Sequence, residues 1–209
     1  MASAKVDQRR EAGLRTRARL MDAALDLLAE RGEEGVSLRE ITSAADANVA
    51  AVSYHFGSLK ALCGAAVEQA LERYLEAQQE AVGTLGPEST LDALAAAFAR
   101  PMISAMVVGG RDLAVMRIVA RGGIDPPEGW HRFDAAFDLV RADVLRVLKA
   151  NLSGVKDREL IFRTRCAAGL INWLILAPPG ADLHKRSRKQ IEELLIPALA
   201  GTFRGQSSV

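Results

Sequence analysis

Apolar positions recur at three- and four-residue spacing along nearly the whole chain, and strict apolar–polar alternation is almost absent. The pattern predicts an all-α protein of about nine helices. A first helix is expected from about Leu14 to Arg31, with Leu20, Ala24, Leu27 and Leu28 on one face and Gly32 just past its end. Ser37 stands at the N-cap of a short second helix that turns Leu38, Ile41 and Ala45 inward, and Glu40 completes a capping-box pattern. Asp46 and Ala47 form a turn, and Asn48 caps a third helix from about Val49 to His55. Phe56 and Gly57 then lead to Ser58, the cap of a long fourth helix that should end near Gly83. Five more helices are expected at about 88–108, 111–121, 129–151, 156–177 and 183–203. Gly109 and Gly110, Gly122 to Pro127, Asn151 to Gly154, and Pro178 to Gly180 separate them.

The short second and third helices have the spacing of a helix-turn-helix. Residues 1–13 are expected to be a basic, flexible arm, 14–60 a three-helix DNA-binding domain around that motif, and 61–209 a larger helical domain. Composition does not disturb this picture. Of 209 residues, 49% are apolar and 25% charged, an ordinary soluble balance, and the net charge of +1 points to no partner. Its distribution says more: residues 1–19 hold Lys5, Arg9, Arg10, Arg15, Arg17 and Arg19 against Asp7 and Glu11.

Other classes of function find little support. The two cysteines, Cys63 and Cys166, lie in apolar helical patterns and have no zinc-type spacing. There is no nucleophile elbow and no glycine-rich phosphate loop, and His55, His131 and His184 have no partner pattern. Catalytic residues, metal ligands and cofactors are therefore not expected. The first 25 residues lack a signal-peptide core, and the apolar run from Cys166 to Leu176 is short for a bilayer span. A cytoplasmic protein without a membrane role is expected. The basic cluster Lys185, Arg186, Arg188 and Lys189 reads as a solvated helix face.

A recognition helix can enter the major groove, about 12 Å wide, only if its outward side chains are small or polar. Residues 48–55 meet that need, with Asn48, Val49, Ala51, Tyr54 and His55 on the expected outer face and Val52 and Phe56 packing back. Together with Thr16-Arg17, Leu20, Ala23-Ala24, Leu27 to Gly32, Val36 to Ile41, Ala44-Ala45, Tyr54 to Ser58 and Leu62, the stretch 16–62 resembles the DNA-binding domain of the TetR family of bacterial repressors. The resemblance implies Ser37 and Arg39 near phosphates, and Asn48 at the start of the recognition helix. It implies Val49, Ala50, Ala51 and Ser53 near base edges, and Tyr54, His55 and Lys60 on the DNA backbone. The chain departs from the family pattern at Asp46, where glycine is usual; at Ser53, where tyrosine is usual; and at Lys60, one residue later than the usual lysine.

A two-fold operator requires a two-fold protein. The last two helices carry apolar surface suited to this, with Ala167, Ala168 and Gly169 allowing close approach and Ile191, Leu194, Leu195, Ala198 and Leu199 along the final helix. In the TetR family these helices form a four-helix dimer interface. Candidate ligand-lining residues are Phe98, Met102, Met106, Met116, Trp130, Phe133, Phe137 and Trp173, for each of which core packing is the default reading, with Arg117, Arg121, His131 and Asn172 as polar members. The resemblance implies a homodimeric repressor that leaves palindromic double-stranded DNA when a small apolar or amphipathic effector binds. The departures at Ser53 and Lys60 keep open an alternative, a helical ligand sensor or interaction module that has lost specific DNA binding.

Overall fold

The computed structural model describes residues 2–31, 35–124, 133–176 and 186–205. Over these it is all helical: α1 (Ala2–Arg31), α2 (Leu38–Ala44), α3 (Val49–His55), α4 (Leu59–Gly83), α5 (Leu91–Val108), α6 (Gly110–Ile124), α7 (Asp134–Asn151), α8 (Asp157–Leu176) and α9 (Arg188–Arg204). The chain divides into two units, Met1–Leu71 and Glu72–Val209.

α1 begins at Ala2 and not at Leu14, so residues 2–13 are helical rather than the expected arm. The segment has no proline, and its Lys, Arg, Gln, Glu and Ala residues, all strong helix formers, carry the helix through Gly13. The compact N-terminal unit also runs past residue 60, because Leu62, Cys63, Ala66, Ala70 and Leu71 of α4 are all buried within it. Its core adds Leu20, Met21, Ala24, Leu25 and Leu28 of α1, Ile41 and Ala45 around α2, and Val52 of α3.

In the C-terminal unit α5 packs most extensively on α9, and α6 on α8. Phe98 and Phe203 meet edge to face at 5.7 Å within the core. By length and composition α5 could cross a bilayer, but more than half of it is buried among the other helices, as befits a core helix. The loop after α4 is held from α7: Arg146 donates to the Leu85 carbonyl at 2.6 Å and Asn151 to that of Ser89 at 2.8 Å. Arg163 of α8 is almost fully buried and donates to the Phe203 and Arg204 carbonyls, closing the C-terminal end of α9 while pairing with Glu159. These are carbonyls that a helix end leaves without internal partners.

Candidate nucleic-acid interface

Two capped helices and the turn between them position the site. The Ser37 hydroxyl accepts from the Glu40 amide at 3.3 Å and donates to the Glu40 carboxylate at 2.6 Å, while the Ser37 amide donates back to that carboxylate at 3.1 Å. Arg31 reaches the same carboxylate at 2.6 Å, tying the end of α1 to α2. The bond from the Ser37 hydroxyl, then the Arg31 guanidinium and the Ser37 amide, hold the Glu40 carboxyl below its usual range. The hydroxyl proton of Ser37 is engaged within the protein, which gives this residue a positioning role at the start of α2.

Asp46 adopts φ +45°, the only positive φ of a non-glycine residue among those described. Left-handed backbone is what the family glycine would supply, and aspartate is among the few residues that tolerate it. Asn48 then accepts from the Ala51 amide at 2.8 Å and starts α3.

Which side of α3 faces outward follows from its anchor. Val52 is 1% exposed, and positions two residues to either side lie about 200° around the helix from it. The open face accordingly carries Ala50 and Tyr54, with Ser53 at its edge, and Asn48 and Val49 at the helix start are also exposed. The outer face expected from the residue pattern alone is corrected by about one position: Ala51 and His55 are half-buried at its edges. The positions implied by the family resemblance include Ala50 and Ser53 and match the open face better. Tyr54 is 83% exposed, and its ring meets that of His55 edge to face at 4.9 Å. His55 lies beside Phe56, at 6.3 Å between rings, and next to Gly13 of α1.

Arg39 and Lys60 are exposed, and Ser58 caps α4 by accepting from the Ala61 amide at 3.1 Å. Sequence reasoning did not single out Arg17, whose guanidinium lies 5.1 Å from the centre of the Phe56 ring. The signal was available in the helical register of a basic segment, but only the fold brings the two together.

In the C-terminal unit the ligand candidates separate. Phe98, Met102, Met106 and Met116 are buried in the core, Phe133 is buried, and Arg117, Phe137 and Asn172 are half-buried. Asn172 faces Gly123 of α6. Trp130 and His131 lie outside the described residues. Trp173 is corrected: at 61% exposure it lines no interior, since the phase of α8 is set by Ala167, Ile171 and Ile175 pointing into the core. Arg121 is also exposed.

The same phase corrects the expected apolar face of the last two helices. Ala167, Ile191, Leu195 and Leu199 belong to the internal core, whereas Phe162, Cys166, Gly169 and Trp173 on α8, and Leu194 and Ala198 on α9, form the exposed stripe. Among the described residues no group of His, Cys, Asp and Glu is arranged to hold a metal.

Residues 20–66 match the profile of "Bacterial regulatory proteins, tetR family". Over 79 residues the chain is 32% identical to "Probable HTH-type transcriptional regulator YttP" of Bacillus subtilis (strain 168), a stretch that spans 38% of this chain and 38% of that protein. Its fold is similar to the crystal structure of the TetR family transcriptional regulator PfmR from Thermus thermophilus, with 20% identity, TM-score 0.64, and 91% of this chain and 100% of that one covered. It is also similar to a TetR-like transcriptional regulator from Rhodococcus sp. RHA1, with 16% identity, TM-score 0.56, and 91% and 97% covered. At such identities the structural likeness speaks for the fold alone. Residues 20–66 thus carry a helix-turn-helix that matches the TetR-family profile, within an all-helical fold similar to that of TetR-family regulators.

Proposed function

We propose that the protein is a cytoplasmic, homodimeric transcriptional repressor that binds a palindromic operator through α3 and leaves it when a small apolar or amphipathic effector binds the C-terminal unit. One observation carries the DNA-binding part: a doubly capped helix-turn-helix whose open face presents Asn48, Val49, Ala50, Ser53 and a Tyr54 that is 83% exposed. An aromatic so exposed contributes little to its own fold, and its hydroxyl is free to donate to a phosphate. Val49, Ala50 and Ser53 stand where base edges would be, Asn48 at the helix start, Ala51 and His55 at the margins, and Arg39 and Lys60 alongside to meet the backbone. Small side chains allow close approach, and their contacts to base edges or thymine methyls supply the sequence preference.

Two-fold symmetry comes from the exposed stripe of Phe162, Trp173 and Leu194, each more than half exposed. Large apolar groups left open on neighbouring helices are suited to burial against a second copy. Effector release is then a population shift, in which the ligand favours the conformation whose recognition helices are badly spaced for the operator.

The test is binding of duplex DNA from upstream of the protein's own gene. Specific binding that Tyr54→Ala weakens about a hundredfold supports the reading, the loss matching one charge-assisted hydrogen bond from each of the two subunits. Equal binding of all duplexes favours a helical sensor without an operator.

A further inference from the structure

Gly13 and Arg17 lie four residues apart on α1 and so share one face of that helix. Both meet the aromatic run at the end of the recognition helix. A Cβ placed on Gly13 would lie 3.7 Å from Cε1 of His55, so the α1 backbone and the imidazole stand close together. One turn further on, the Arg17 guanidinium lies 5.1 Å from the centre of the Phe56 ring. Phe56 is the C-cap residue of α3, and its amide donates to the Val52 carbonyl at 2.9 Å. α1 therefore holds two consecutive residues at the C-terminal end of α3, one by close backbone approach and one by a cation over an aromatic face.

The contacts continue outward from there. His55 meets Phe56 edge to face at 6.3 Å and Tyr54 edge to face at 4.9 Å. His55 and Phe56 are half-buried, whereas Tyr54 is 83% exposed. A side chain so exposed has little packing of its own to fix its rotamer, and a mobile ring must be ordered at a cost when it binds. The run Arg17, Phe56, His55, Tyr54 leads from α1 to that ring, so its direction is set where α1 grips its neighbours. Glycine at position 13 fits the role. A methyl there would meet His55 at ordinary contact distance, but a branched side chain would push the imidazole aside.

We propose that Arg17 is a positioning residue for DNA recognition: its guanidinium fixes Phe56, which through His55 presets the Tyr54 ring for the operator backbone, and Gly13 leaves His55 the room this needs. The Arg17 cation faces a ring of the protein and adds no phosphate contact. The proposal rests on the operator-binding reading above and adds the residue that orients its tyrosine.

The test uses the full chain and the duplex it binds specifically, titrated at several salt concentrations. Arg17→Gln should weaken binding about tenfold, or about threefold for each subunit of the dimer, the worth of one exposed cation–π pair. The salt slope should equal that of the wild type, because no phosphate contact is lost. With Tyr54→Ala already in place, Arg17→Gln should weaken binding by less than about twofold, since the ring it orients is gone. Gly13→Leu leaves every cation in place and should also weaken binding at an unchanged slope. Wild-type affinity in either variant, a slope shallower by about two in Arg17→Gln, or full additivity with Tyr54→Ala would each overturn the proposal. With an operator still bound through Tyr54, those outcomes spare the repressor reading. A second readout needs no DNA: NMR relaxation of the Tyr54 and His55 ring carbons in the free protein should show both rings more mobile in Arg17→Gln. Rings equally ordered in the two proteins would overturn the proposal. A wild type that binds no duplex specifically would sink the operator reading, and rings that loosen in Arg17→Gln would then keep Arg17 as the brace of α3.

Discussion

At the scale of single residues, two positions in the helix-turn-helix show how local chemistry fixes the reading geometry. Asp46 occupies left-handed backbone at φ +45°. Its carboxylate is 99% exposed and lies 3.6 Å from Arg19, a pair too solvated to matter much. Asp46→Gly should therefore raise stability by about 0.5–1 kcal/mol by relieving backbone strain, and a β-branched Asp46→Val should lower it by more. Thermal unfolding of the two variants checks both directions. Ser37→Ala removes the cap that organises α2 and should cost about 1 kcal/mol at neutral pH. The Glu40 carboxyl is held low by the hydrogen bonds from Ser37 and Arg31, so its stabilisation is complete above the ordinary glutamate range. It is lost as pH falls through the depressed value. The gap between wild type and Ser37→Ala should thus narrow in acid, which denaturant melts across pH will test; a gap that widens there would contradict the cap as described.

Helices carry the next level of explanation. The caps and the spacing of apolar residues made α2, α3 and the start of α4 legible in the sequence almost to the residue, because Ser37, Asn48 and Ser58 each satisfy amides that a helix start leaves open. Legibility failed where a boundary has no chemical marker. Nothing distinguishes the residues before Leu14 as unable to continue α1. On α8 the apolar residues surround the helix, so periodicity could not say whether Ala167 or Trp173 faces inward. The exposed stripe on α8 and α9 yields the prediction at this scale. Trp173→Arg or Leu194→Glu should leave each chain folded, since neither side chain is part of the core, yet shift the solution mass from that of a dimer to one chain of 22.4 kDa. Sedimentation of wild type and variants decides it, and a wild type that is already monomeric would refute the assigned face.

For the whole molecule, the proposed function assigns affinity and specificity to different parts of the surface. With Arg39 and Lys60 as the phosphate-directed cations, a dimer places four on the DNA, so log affinity should fall against log salt with a slope of about −4. On the proposed reading, sequence preference comes from the small side chains of α3 and should survive changes in salt. These two properties meet in one experiment: selection of duplexes from a random-sequence pool by the purified protein, followed by titration of the enriched duplex with wild type and Tyr54→Ala at two salt concentrations. The predicted result is a two-fold symmetric sequence, bound with the stated salt slope and about a hundredfold more weakly by the variant, which loses one contact in each subunit. Enrichment of no sequence, or binding that is indifferent to Tyr54, would contradict the assignment of α3 as the reader of an operator.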